Sequence, residues 1–151
     1  MNTKSNFACP ISIAPNINRR MSGILRVFLI LSCAIASASA AEPGRVTELM
    51  TKALVNVPGK EVTMITVDYP PGATDPVHRH YASAFVYVLE GSIVMQMKGG
   101  KKLTLHPGQT FYEDPNGIHL IGRNASDTKP AKFLVVLVKD KGAPILVPVN
   151  K

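Results

Sequence analysis

The sequence predicts an all-β domain, either a closed barrel or two packed antiparallel sheets, preceded by a removable leader. Three observations indicate this fold class. After residue 41, apolar and polar residues alternate with a period of two in short runs. Gly and Pro interrupt these runs at short intervals, and almost no stretch has the 3.6-residue period of a helix. Short strands punctuated in this way are typical of antiparallel barrels and sandwiches.

The first forty residues differ in character from the rest of the chain. Residues 21–26 are short and basic, residues 27–36 are apolar, and residues 37–41 are small, with a cleavage pattern at Ala38-Ser39-Ala40. The apolar part is too short to span a bilayer. We therefore expect residues 1–40 to be a secretory signal peptide that is cleaved from the mature protein.

Two other leader types compete with this interpretation. Arg19-Arg20 resembles a twin-arginine signal, and Ile30-Leu31-Ser32-Cys33 resembles a lipoprotein processing site. The residues around both motifs fit poorly, so plain export is favoured, with translation beginning at Met1 or at Met21. The protein is accordingly expected in the periplasm or in the medium.

Removal of the leader changes the charge and the cysteine content. Four of the 17 basic residues and both cysteines, Cys9 and Cys33, precede Ala41, whereas all 10 acidic residues follow it. The formal net charge of +7 therefore falls to +3, which does not indicate a nucleic-acid partner. A mature chain without cysteine excludes disulfides and thiol catalysis. No apolar run after Ala41 is long enough for a transmembrane span.

The mature chain, residues 41–151, is long enough for one domain. Its alternating runs predict strands at 61–69, 85–89, 93–97, 102–105, 110–112, 119–123, 132–138 and 145–147. The turns between them are set by Pro70-Pro71-Gly72, Glu90-Gly91, Gly99-Gly100-Lys101 and His106-Pro107-Gly108, and Pro148 stops the last strand. Only residues 45–54 could hold a helical turn.

His78 and His80 stand one residue apart just before a predicted strand. Residues i and i+2 of a strand share a face, so both imidazoles point the same way and can form a bidentate site for Fe, Mn, Zn, Ni or Cu. On these two residues alone, a surface turn is the simpler interpretation. A third histidine, His119, follows another strand and a Pro-Gly turn, and this favours a metal site.

The spacing of these residues resembles the first motif of the cupin family of small β-barrels. That motif is Gly, five residues, His-x-His, three or four residues, Glu, six residues and Gly. In this chain it reads Gly72, His78-Arg79-His80, Ala84 and Gly91, and every anchor is in register except the acid.

The second cupin motif, a Gly followed eleven positions later by His, is matched by Gly108 and His119. Its Pro-x-Gly and terminal Asn stand one position late, at Pro115-Asn116-Gly117 and Asn124. The two motifs together imply a cupin double-stranded β-helix, also called a jelly-roll barrel, over residues 41–151.

The resemblance further implies that His78, His80 and His119 bind a divalent transition metal such as Fe, Mn, Zn or Ni inside the barrel. Because Ala84 takes the place of the family's Glu, one side of the metal is expected to be open. Glu113 is the nearby acid. We interpret it first as a solvent-facing carboxylate at a loop edge; the alternatives are a fourth ligand or an acceptor that orients His119.

Other residues near these motifs have simpler interpretations. His106, in a Pro-Gly turn, is expected to be exposed, and Asp75 to support a turn. Phe85 and Tyr87 face away from the histidines, so they are candidates for a homodimer contact. Asn124-Ala125-Ser126 matches a glycosylation sequon, which we discount because such triplets are common by chance.

Two functions from different classes fit these features. One is an exported, metal-dependent, dioxygenase-like enzyme that acts on a small chelating organic molecule in the barrel. The other is a non-catalytic periplasmic module that binds a metal or a small ligand. A metal-free structural barrel is a third interpretation, disfavoured because all three histidines are present.

Overall fold

The computed structural model describes residues 42–149, and these residues form ten strands. The strands are β1 (Arg45–Ala53), β2 (Lys60–Tyr69), β3 (His78–Arg79), β4 (Ala82–Glu90), β5 (Ile93–Met97), β6 (Leu103–Leu105), β7 (Thr110–Glu113), β8 (Ile118–Asn124), β9 (Ala131–Asp140) and β10 (Val147–Pro148). In this range there is no helix with the length and hydropathy to cross a membrane. The predicted signal peptide, residues 1–40, and both cysteines lie outside the described residues.

The strands form two five-stranded antiparallel sheets, which confirms the predicted all-β class. One sheet has the order β1-β2-β9-β4-β7 and the other the order β10-β3-β8-β5-β6. Alternate residues of the strands face the interior, as the period of two predicts. The buried core contains Ile65, Val67, Tyr69, Ala73, Ala82, Ala84, Val86, Val88, Ile93, Met95, Leu105, Ala131, Phe133, Val135 and Leu137.

The predicted strands are found with small shifts at their ends, and β5 has the predicted bounds. The last strand is β10 rather than 145–147, and Pro148 belongs to it instead of stopping it. A proline is tolerated there because β10 is an edge strand, paired only with β3.

The predicted helical turn at residues 45–54 is wrong, because residues 45–53 form β1. This strand pairs antiparallel with β2, for example Val46 with Val67 and Thr51 with Thr63. All nine of its residues are exposed, so neither face leaves a hydropathy pattern in the sequence. The strand exists because its backbone bonds to the edge of β2, a long-range pairing that local periodicity does not record.

Gly91 turns the chain from β4 in one sheet to β5 in the other, at the position that the first motif predicts for a glycine. Its φ is 67°, a left-handed conformation that side chains disfavour. A Cβ at this position would lie 2.4 Å from the carbonyl oxygen of Pro130 and 2.8 Å from the Cα of Ala131. The glycine therefore lets this connection between the two sheets pack against the start of β9.

Candidate metal centre

The three predicted histidines come together inside the domain, and Glu113 joins them. His78 and His119 are direct cross-strand partners on β3 and β8 of one sheet. Glu113 ends β7 in the other sheet, so the cluster lies where the two sheets face each other. One donor atom from each of these residues and from His80 lies within 4.8 Å of the other three.

The nitrogen and oxygen atoms that could bind a metal lie close together in this cluster. The Nε2 atom of His78 lies 3.1 Å from Nε2 of His80 and 3.4 Å from Nδ1 of His119. The Oε2 atom of Glu113 lies 3.3 Å from Nε2 of His80 and 3.5 Å from Nδ1 of His119. The side chains of His78, Glu113 and His119 are 3–4% exposed, and that of His80 is 12% exposed.

Backbone carbonyls fix the tautomers of two of the rings. Nδ1–H of His78 donates to the carbonyl of Pro76 at 2.8 Å, and Nδ1–H of His80 donates to the carbonyl of Ile145. Each ring then presents an unprotonated Nε2 to the centre of the cluster. Metal-binding histidines are oriented in this manner in known sites.

These contacts create a requirement for positive charge at the centre. Two unprotonated nitrogens 3.1 Å apart repel each other unless a proton or a cation lies between them. Oε2 of Glu113 is buried and accepts no hydrogen bond from the described residues. A divalent ion would satisfy the nitrogens and the carboxylate together, so the donor set fits a transition metal.

Burial and the neighbouring carboxylate shift the pKa values in opposite directions. Burial lowers the pKa of His78 below its usual range, which favours the neutral ring. Burial alone would lower the pKa of His80 and raise that of Glu113. The close approach of these two groups, 3.3 Å apart, and their opposite charges outweigh burial, raising the pKa of His80 and lowering that of Glu113. Glu113 is therefore a carboxylate, the form that binds a metal.

Glu113 corrects the expectation of a solvent-facing carboxylate at a loop edge. It is buried, and its direct cross-strand partner on β4 is Ala84 itself. Directly paired residues have their Cβ atoms about 5 Å apart and point to the same side of the sheet. A carboxylate thus lies beside the three histidines, although the first motif has none at position 84.

A cavity of about 200 Å³ opens beside the cluster. Its walls are mostly apolar and include Ile65, Val67, Met95, Phe133, Val135, Ile145 and Leu146. Two further polar residues also line it, Tyr69 from β2 and Asp75 from the loop before β3, and the Tyr69 hydroxyl donates to Oδ2 of Asp75. An apolar cavity with polar groups at one end is suited to a small organic molecule.

Asp75 was expected only to support a turn, and its place in the cavity beside Tyr69 was not predicted from the sequence. The sequence places Asp75 next to a Pro-Gly turn, and no local pattern shows that it reaches a tyrosine six residues earlier. The structure does confirm that His106 is exposed and outside the cluster, bonded to Ser92 Oγ at 2.8 Å. Phe85 and Tyr87 are exposed on the outer face as expected, whereas Val86 and Val88 are buried.

The fold and the cluster identify the class of protein. Residues 65–137 match the family model of the Cupin domain. The chain therefore carries a cupin domain of the type-2 group, and the resemblance seen in its two motifs is confirmed.

Solved structures give more distant comparisons. An oxalate oxidase in complex with the substrate analogue glycolate is 26% identical, with a TM-score of 0.56, over 74% of this chain and 57% of that chain. The DMSP lyase DddQ from Ruegeria pomeroyi is 23% identical, with a TM-score of 0.52, over 58% of this chain and 43% of that chain.

A cupin domain from Bordetella pertussis is 19% identical, with a TM-score of 0.52, over 67% of this chain and 98% of that chain. The chain spans about half the length of the oxalate oxidase and the DMSP lyase that it matches. No curated protein matches the sequence.

Proposed function

We propose that the domain binds one divalent transition ion through His78, His80, Glu113 and His119, and that it acts on a small organic molecule with oxygen donors. The observation that carries this proposal is the buried set of four donors around one point, with two ring tautomers fixed toward it. When bound, such an ion supplies Lewis acidity or redox chemistry.

The protein's own residues would contribute binding and shielding. The apolar cavity walls exclude water from a small molecule beside the cluster, which strengthens its electrostatic contacts. The carboxylate of Glu113 compensates part of the positive charge of a divalent ion. With Glu113 beside the histidines, an open side at Ala84 does not support a dioxygenase-like enzyme.

The similarity to an oxalate oxidase now supports an oxidoreductase of the dioxygen-consuming type, together with the buried donor set. Oxalate and glycolate are therefore the first probes. Both are small enough for a cavity of about 200 Å³, and both carry oxygen donors that bind first-row transition ions.

Metal content and dioxygen uptake test the proposal together. The purified protein is expected to contain about one divalent transition ion per chain, measured by elemental analysis. Iron- or manganese-loaded protein is expected to consume dioxygen with oxalate, glycolate or a diketone, and His78→Ala protein treated identically is the control. Uptake without metal dependence, or a metal-free protein that cannot be loaded, contradicts the proposal. Bound metal without turnover supports the non-catalytic binding module instead.

We also propose that the domain forms a homodimer through the outer face of the sheet β1-β2-β9-β4-β7. One row of that face crosses all five strands in register and is apolar throughout: Met50, Met64, Val136, Phe85 and Tyr112. Phe85 is 49% exposed and Tyr112 is 45% exposed. A sheet face that stays in water is normally polar, so a continuous apolar row favours a protein partner.

Light scattering after size exclusion tests the dimer. Wild-type protein is expected to have twice the monomer mass at micromolar concentration. Phe85→Asp introduces a charge into the row between Val136 and Tyr112, so it is expected to shift the protein to monomer. Leu120→Asp is the matched control, since Leu120 is 38% exposed but lies on β8 of the other sheet. A monomeric wild type contradicts the dimer and leaves the metal centre unaffected.

Export remains a proposal that rests on the pattern of residues 21–41. We expect the mature chain to begin at Ala41, after cleavage behind Ala40. Intact-mass measurement of the protein from the periplasm or the medium tests this. A folded protein that still carries Met1 or Met21 is the opposite outcome.

A further inference from the structure

Tyr69 and Asp75 form a polar pair in the cavity, separate from the four residues of the metal cluster. Tyr69 is 1% exposed, and its ring lies edge-on to Phe133 with centroids 5.0 Å apart. This packing fixes the direction of its hydroxyl, which donates to Oδ2 of Asp75. The backbone N–H of Asp75 donates to the carbonyl of Gly122 at 2.8 Å, so the backbone of Asp75 is fixed as well as its carboxyl group.

The pair is poorly explained by stability alone. Within residues 42–149, no Lys or Arg lies at ion-pair distance from Asp75. Burial raises the pKa of Asp75, so forming its carboxylate carries a desolvation cost. A buried tyrosine needs only an acceptor, which a backbone carbonyl would provide at lower cost. A partly buried carboxyl group without a cation, at a cavity wall, is typical of a functional position.

Gly122 shows how close the pair lies to the metal cluster. A Cβ placed on Gly122 would be 3.1 Å from Tyr69 Oη, 3.2 Å from Asp75 Oδ2 and 3.1 Å from Cε1 of His119. The absence of a side chain at residue 122 therefore lets the pair and the His119 ring converge on one small volume. A molecule of a few heavy atoms can reach both from within the cavity.

We propose that Asp75 is a substrate-binding residue, positioned by Tyr69, which accepts a hydrogen bond from a hydroxyl or amino group of a small substrate. The other end of that substrate carries an oxygen donor, such as a carboxylate, held at the metal cluster. The substrate class is thus a small carboxylic acid with a hydrogen-bond donor a few bonds away. This inference rests on the proposed metal-dependent function and adds its substrate selectivity.

Paired ligands with and without the donor group test this assignment. Glycolate, 3-hydroxypropanoate and 4-hydroxybutanoate are compared with acetate, propanoate and butanoate by calorimetric titration of manganese-loaded protein. Wild type is expected to bind at least one hydroxy acid about tenfold more tightly than its parent acid, as one hydrogen bond to a carboxyl group allows. Asp75→Ala is expected to lose this preference, and Tyr69→Phe to lose part of it.

Asp127→Ala is the control, because Asp127 is exposed and does not line the cavity. Metal content and melting temperature are measured for each variant, so a misfolded protein is recognised, and Asp75→Asn provides a second variant that keeps the side-chain shape.

A preference that persists in folded, metal-loaded Asp75→Ala comes from the metal alone and overturns the assignment. A wild type with bound metal but no preference overturns it as well, and leaves the proposed metal site intact. A protein that binds no metal overturns both.

Discussion

Moving the carboxylate from Glu113 to position 84 is expected to restore metal binding that the loss of Glu113 abolishes. The single variant Glu113→Gln keeps the size of the side chain and removes its charge. It is expected to weaken metal affinity by about a hundredfold or more, because the loss of a direct ligand costs at least as much as the loss of the groups that orient ligands. His78→Ala and His119→Ala are expected to lose at least as much.

The double variant Ala84→Glu/Glu113→Ala tests the geometry behind this loss. Residues 84 and 113 are direct cross-strand partners, and both are buried on the same face. A glutamate at 84 can therefore reach the same three rings from the opposite strand. The double variant is expected to recover most of the affinity that Glu113→Ala loses. Ala84→Glu alone places two carboxylates together, so it is expected to destabilise the metal-free protein.

Metal titration and elemental analysis of these variants measure the effect. His106→Ala is the matched control: it removes an exposed histidine outside the cluster, and its metal content is expected to equal that of wild type. Full metal content in Glu113→Gln would show that the carboxylate only orients the rings. A folded double variant that stays metal-free would show that position 84 cannot replace position 113.

Asn124→Ala is expected to be strongly destabilising although Asn124 lies outside the metal cluster. Nδ2 of Asn124 lies 2.8–3.2 Å from the carbonyl oxygens of Tyr69, Pro70 and Lys129, and Oδ1 accepts from the N–H of Ser126 at 2.9 Å. The residue is 1% exposed. Its removal leaves several buried backbone groups unpaired, at a cost of about 3 kcal/mol in the free energy of unfolding.

Thermal unfolding measures this cost. For a domain of this size, about 3 kcal/mol corresponds to a melting temperature roughly 10–20 °C lower. Asn124→Asp is expected to be as damaging, since a carboxylate cannot donate to the three carbonyls. Asn56→Ala is the control, because Asn56 is exposed in a turn and its loss is expected to change stability by less than about 0.5 kcal/mol. Equal melting temperatures for Asn124→Ala and wild type would contradict this role.

The strands and the three histidines could be predicted because their signals are local. Alternation records which face of a strand is buried, and His78-Arg79-His80 places two rings on one face whatever the strand pairs with. The position of Glu113 depends instead on how β4 pairs with β7, which is set by contacts between residues distant in sequence. The first motif shows that an acid is missing at position 84. It cannot show that Glu113 lies directly across from Ala84 on β7.

The strand β1 and the contact between Tyr69 and Asp75 could not be predicted for the same physical reason. β1 has no buried face, so nothing in its own residues distinguishes it from a helical turn. Tyr69 and Asp75 meet because the strand β2 and the loop before β3 are brought together at the cavity wall. The sequence shows each of them as an ordinary barrel or turn residue, and only the folded arrangement gives them a common role.

The burial of Asn124 has a practical consequence for producing the protein. Asn124-Ala125-Ser126 is an acceptor triplet for N-linked sugar, and a eukaryotic secretory host attaches that sugar to the nascent chain before folding is complete. A glycan on a side chain that is 1% exposed in the native state would prevent the loop from closing. Such a host is expected to give poor yields. Ser126→Ala should improve them, because it removes the triplet and keeps the backbone N–H that Asn124 requires.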